Sequence, residues 1–141
     1  APAAGPLAAA TNEPAAMNAP ALPCPAVLGH HLLADLQGVA SDLLADAALV
    51  ERVLYQAAQA AGATVVDARF RHFGPGLGVT GVLLLKESHI SIHTWPEYGF
   101  AAVDVFMCGA ARPELAVEVM RAAFVPRTLT LRDQARGPAP G

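Results

Sequence analysis

The run Glu87-Ser88-His89-Ile90-Ser91-Ile92-His93-Thr94-Trp95-Pro96-Glu97 gathers two carboxylates, two imidazoles, three hydroxyls and the only tryptophan of the chain into eleven residues. Three chemistries suit that mixture. A His-x-x-x-His pair binds metal when a helix stacks the two rings, but the β-branched residues between His89 and His93 favour a strand and no third ligand stands at a matching spacing, so no metal is assigned. Ser88 with His89 or His93 as base is the skeleton of a hydrolase, yet the Gly-x-Ser-x-Gly elbow that exposes such a serine is missing. The third option is that Ser88 attacks its own chain.

The elements that must position these residues follow from periodicity and punctuation. Alternation puts His89, Ser91, His93 and Trp95 on one face of a strand spanning Ile90 to Thr94, with Ile90 and Ile92 turned into a core. Val79 to Lys86 and Phe100 to Phe106 read as its neighbours, joined by connectors short enough for antiparallel pairing. Upstream, Gly29 to Gly38 reads as a first strand that includes His30 and His31. A helix from about Leu43 to Ala61, capped by Ser41 or Asp42 and stopped by Gly62, follows it. Ala63 to Phe73 alternates as a strand with Val65, Asp67, Arg69 and Arg71 on one side and Thr64, Val66, Ala68, Phe70 and His72 on the other. Gly74-Pro75-Gly76-Leu77-Gly78 is a loop; it matches no phosphate-binding pattern and no helix follows it. Pro113 opens a second amphipathic helix that Pro126 ends, and Arg127 to Arg132 forms a last strand. The order is strand, helix, four strands, helix, strand. This is an α+β fold, a two-layer sandwich of a mostly antiparallel sheet with helices on one face, and the open face invites a second protomer.

Composition narrows the setting. Residues 1–27 are rich in Ala and Pro and poor in large apolar side chains, so we expect a disordered tail there, a single domain at 28–133 and a flexible tail at 134–141. The net charge is −3 with no basic stripe, which lacks the footprint of a nucleic-acid binder. No run reaches the length of a membrane span. Cys24 and Cys108 do not form a disulfide framework, and no basic leader precedes Arg52. The expectation is a cytoplasmic protein with neither nucleic acid nor membrane as partner.

The segment from Glu87 to Glu97, continued by Gly99-Phe100-Ala101-Ala102-Val103-Asp104-Val105-Phe106-Met107-Cys108-Gly109, resembles the core signature of the prokaryotic S-adenosylmethionine decarboxylases, pyruvoyl enzymes of polyamine synthesis. The resemblance extends from Gly29 to about Leu131. It implies that Ser88 attacks the Glu87 carbonyl, that the chain breaks between 87 and 88, and that Ser88 becomes a covalent pyruvoyl cofactor. It further implies that His93 draws the proton for elimination, that Thr80 is the processing hydroxyl, and that Cys108 is the proton donor in turnover. Trp95 and Phe73 would stack the adenine and Glu97 hold the ribose. The pyruvoyl carbonyl would take up the substrate amine and act as an electron sink.

The resemblance also implies a homodimer of cleaved αβ protomers, with sites drawn from both. Departures stand at His30, Thr80 and Lys86 and in a segment near Gly74 that is one residue longer than usual; they bear on substrate identity more than on reaction type. Decarboxylation of ornithine or arginine by the same chemistry is therefore the alternative reading. An unprocessed regulatory or binding paralogue is the alternative of another class.

Overall fold

The computed structural model describes residues 27–138; the N-terminal tail expected at 1–27 lies almost wholly outside that range. Six strands form one antiparallel sheet: β1 (Gly29–Gln37), β2 (Val65–His72), β3 (Val79–Leu85), β4 (Ser88–Trp95), β5 (Phe100–Cys108) and β6 (Thr128–Arg136), in the order β2-β3-β4-β5-β1-β6. Among the described residues the helices are α1 (Ser41–Leu44), α2 (Ala47–Ala60) and α3 (Pro113–Phe124), with a 3-10 turn at Pro96–Tyr98. The element order and the α+β sandwich match the expectation from sequence.

One face of the sheet is dry because every second residue of its central strands is apolar. Leu32, Ala34 and Leu36 of β1, Leu83 and Leu85 of β3, Ile90 and Ile92 of β4, and Val103, Val105 and Met107 of β5 are all buried. Helix α2 buries Val50, Val53, Leu54, Ala57 and Ala58, and α3 buries Ala116, Val117, Met120 and Phe124. Both stripes have helical spacing, and they close the core over that face. Among the described residues no helix covers the opposite face, and Leu33, Val82, Leu84 and Trp95 are exposed on it.

Strand ends shift by a residue or two from the sequence reading, β5 for instance running to Cys108 and not Phe106, and four differences are larger or change a role. The expected helix from Leu43 is interrupted at Ala45, and α2 is capped not by Ser41 or Asp42 but by Asp46, whose carboxylate accepts from Leu49 N–H at 3.0 Å. Strand β4 begins at Ser88 instead of Ile90. Strand β6 continues through Arg136, paired with Gly29, so Gln134 belongs to the sheet and not to a tail. In β2 a register shift between Val65 and Asp67 resets the alternation, which leaves Val66 exposed while Ala68 and Phe70 turn toward the core. The Phe70 ring lies across Gly81 on β3, where an added Cβ would sit 2.3 Å from it, so a side chain there would displace the ring.

The core also holds one polar tie close to the reactive run. Thr94 Oγ1 donates to the Leu44 carbonyl at 2.8 Å and accepts from Val79 N–H at 2.8 Å. It joins α1 to β3 and β4 without leaving a buried hydroxyl unpaired.

Candidate active site

The loop between β3 and β4 is only two residues long, Lys86 and Glu87, since Leu85 pairs with Ser88. Hairpins this tight favour Gly or Asn in the loop because they need positive φ. Neither is present, and the unusual torsion falls on Ser88, whose φ is 150°. A non-glycine residue held in that region stores roughly 1–3 kcal/mol.

The surroundings hold the turn from both sides. Thr64, just before β2, accepts from Lys86 N–H at 2.9 Å and donates its own N–H to Glu87 Oε1 at 2.9 Å. From β5, both the N–H and the thiol of Cys108 donate to the Glu87 carbonyl oxygen, each at 3.2 Å. The peptide bond that the sequence singled out is thus strained on its serine side and polarised on its carbonyl side.

A second centre lies at the far end of the same strands. A hollow of about 350 Å³ is lined by Phe73, Leu77, Gly78, Thr80, His93, Thr94, Trp95 and Glu97. Thr80 Oγ1 is hydrogen-bonded to His93 Nδ1 at 3.1 Å, as cross-strand partners on β3 and β4. The Trp95 ring packs against Phe100, with centroids 5.4 Å apart, and more loosely against His93 at 6.3 Å.

The predicted site residues therefore fall into two groups. Glu87, Ser88 and Cys108 are together at one end; Phe73, Thr80, His93, Trp95 and Glu97 are together at the other. His93 stands five positions along the strand from Ser88, a distance of about 17 Å. Within a single chain the two groups do not meet.

Between them, on the open face, lies a cluster that no motif marked. Asp104 Oδ1 accepts from His31 Nε2 at 2.7 Å and from His89 Nε2 at 2.9 Å, while Oδ2 accepts from Ser91 Oγ. Arg136 donates to His31 Nδ1 at 3.0 Å and also lies over the Phe106 ring, 5.3 Å from its centroid. The usable signal in the sequence was an acid inside the apolar strand Ala101 to Met107, on the parity of the open face. Half-burial raises the Asp104 pKa, but the hydrogen bonds from Ser91, His31 and His89 outweigh it, and the net value lies below the ordinary 3.8.

The donor atoms of His31, His89 and Asp104 lie within 4.8 Å of one another, close enough to suggest a metal ion. The Arg136 bond to Nδ1, however, leaves the proton of neutral His31 on Nε2, the atom that would have to ligate. The cluster is a hydrogen-bonded network.

A lowered native pKa means that the stability contributed by Asp104 is complete above pH 3.8 and is lost as the pH falls below it toward the native value. Urea unfolding of the wild type and of Asp104→Asn between pH 7 and pH 3 is expected to show the acid loss flattened in the variant below about pH 4. Parallel acid limbs would contradict this account of the carboxylate.

Together the sheet and helices define a two-layer α+β domain with a hollow of small-molecule size at one end of its central strands. Residues 30–137 match the family model for S-adenosylmethionine decarboxylase. The chain is 43% identical over 111 residues to the S-adenosylmethionine decarboxylase proenzyme of Thermodesulfovibrio yellowstonii, covering 78% of this chain and 82% of that one. It is 46% identical over 110 residues to the proenzyme of the same name from Symbiobacterium thermophilum, covering 77% and 83%. The crystal structure of the adenosylmethionine decarboxylase from Aquifex aeolicus superposes with a TM-score of 0.74 at 38% identity, over 79% of this chain and 92% of that one. The chain belongs to the S-adenosylmethionine decarboxylase family, a family of carboxy-lyases.

Proposed function

We propose that the chain is a proenzyme that breaks its own Glu87–Ser88 bond, forms a pyruvoyl group from Ser88, and decarboxylates S-adenosylmethionine to the aminopropyl donor of polyamine synthesis. We propose further that it does so as a homodimer in the cytoplasm. The observation that carries the reading is the Glu87–Ser88 peptide itself, with serine at φ 150° and its carbonyl oxygen held by two donors of Cys108.

In the first step the Ser88 hydroxyl oxygen adds to the Glu87 carbonyl carbon. The developing negative charge falls on the oxygen that Cys108 already faces, where preorganised donors lower the barrier. The C–N bond breaks as the C–O ester forms, and the torsional strain at Ser88 is released. A base then takes the Cα proton of residue 88, the Cβ–O bond breaks, and Glu87 leaves as a free carboxylate. Water replaces the nitrogen as ammonia, leaving a pyruvoyl group at the head of residues 88–141.

His93 is the assigned base, with Thr80 holding its Nδ1. Its distance from Ser88 on the same strand is the reason to invoke a second copy. Two open faces packed with β4 antiparallel to β4 would bring the Ser88 end of each chain to the His93 end of the other, an isologous contact that yields two complete sites. Leu33, Val82, Leu84 and Trp95, exposed on that face, supply apolar surface for it.

The pyruvoyl group supplies a carbonyl that accepts electrons as carbon dioxide leaves. Breakage of the bond removes the Glu87 oxygen from the thiol of Cys108, which frees Cys108 to protonate the product carbon. Trp95 and Phe73 line the hollow in which a purine would stack, aromatic faces suit a sulfonium by cation–π attraction, and Glu97 can accept from ribose hydroxyls.

The test is carbon dioxide release from S-adenosylmethionine, ornithine and arginine assayed side by side. Release from S-adenosylmethionine at least tenfold faster than from the amino acids is expected. Release from the amino acids alone would move the substrate to ornithine or arginine on the same chemistry. An intact chain releasing none would leave the regulatory paralogue standing.

A further inference from the structure

Strain at one residue persists only where its neighbours are over-determined, because otherwise a small shift of the flanking chain lets the torsion relax. Ser88 is the first residue of β4, and a strand end is the place where such a shift is easiest. The side before the bond is anchored by Thr64 and by Cys108. The side after it is anchored, beyond the backbone ladder, by side chains alone: His89 and Ser91 both donate to Asp104.

Asp104 and Cys108 sit on the same strand, and β5 pairs with β4 throughout this region, Ser88 with Met107 and Ser91 with Asp104. One rigid central strand therefore grips the chain on both sides of the bond. Asp104 is itself braced from β1 by His31, and His31 from β6 by Arg136. The His31 and Phe106 rings, with centroids 5.1 Å apart, fill the space beneath.

We propose that Asp104 is a positioning residue for breakage of the Glu87–Ser88 bond: it fixes His89 and Ser91 after the bond, as Cys108 fixes the carbonyl before it, so that Ser88 keeps its strained torsion. This rests on the self-cleavage reading above. It extends that reading to a residue that touches neither the serine nor the carbonyl.

The test follows conversion of the full chain into its two fragments after a pulse of cell-free synthesis, by intact mass. Asp104→Ala is expected to slow the conversion at least tenfold. Asp104→Asn keeps an acceptor for the imidazoles and is expected to stay within threefold of wild type. A wild-type rate in Asp104→Ala would overturn the proposal, and so would an Asn variant as slow as the Ala variant.

Two controls separate positioning from loss of fold. Asp104→Ala placed in the non-cleaving Ser88→Ala background is expected to melt cooperatively above the assay temperature. His89→Phe and Ser91→Ala, each removing one bond to the carboxylate, are expected to slow conversion severalfold, the His89 change more than the Ser91 change. Wild-type rates in both would overturn the proposal whatever Asp104→Ala does. Failure of the self-cleavage reading is distinct, since the wild type would then give no fragments at all.

Discussion

Ser88→Ala is expected to leave one intact chain of 14.5 kDa where the wild type gives two fragments, residues 1–87 and 88–141, and to abolish carbon dioxide release. Alanine retains the Cβ and the same backbone, so the strain and the Cys108 donors remain while the nucleophile and the precursor of the pyruvoyl group are both removed. The loss should reach the detection limit of intact-mass measurement, and fragments from this variant would sink the self-cleavage reading.

Cys108→Ala makes the contrast. It keeps the backbone N–H on the Glu87 oxygen and removes the thiol, the weaker of the two donors. Cleavage is expected to slow by about tenfold, below the usual cost of deleting an oxyanion donor, while turnover of the cleaved protein is lost with its proton donor.

The second large effect is a complementation. Ser88→Ala and His93→Ala chains, each expressed alone, are expected to give no pyruvoyl-bearing fragment. Expressed together, they pair so that the Ser88 of the His93→Ala chain meets the intact His93 of its partner. Only the His93→Ala chain is then cleaved, and with random pairing up to about half of its copies are converted. Tagging the two variants differently and reading both by mass would show which chain broke. Absence of any cleavage in the mixture, with mixed dimers isolated through both tags, would contradict the shared site.

Much of this is legible in the residues alone. The alternation of His89, Ser91, His93 and Trp95 against Ile90 and Ile92 fixed which face of β4 is dry, because a period of two admits only one arrangement when one face is buried. The hairpin was legible from two strand-forming runs with nothing long between them. The separation of Ser88 from His93 follows from strand rise. It became visible only once β4 was known to run unbroken from Ser88 to Trp95, since a turn within those residues would have brought the two side chains together.

What the sequence could not yield is long-range. The Asp104 network draws His31, His89, Ser91 and Arg136 from three other strands, and no local spacing encodes a contact between residues 31 and 136. The shift in β2 and the break at Ala45 are local, but each is decided by packing: Val66 turns outward so that Ala68 and Phe70 can face the core, and Asp46 caps a second helix that starts afresh against the sheet.

The unbroken course of β4 has a kinetic consequence. If Ser88 and its base belong to different molecules, a reaction that looks intramolecular on a gel is bimolecular at its origin. A newly made chain stays whole until it finds a sister, and at low abundance its maturation rate rises with the square of chain concentration. Breakage of the Glu87–Ser88 bond would then serve as a timestamp of assembly, made by each subunit on the other, and a lone subunit could not acquire the group on which turnover depends.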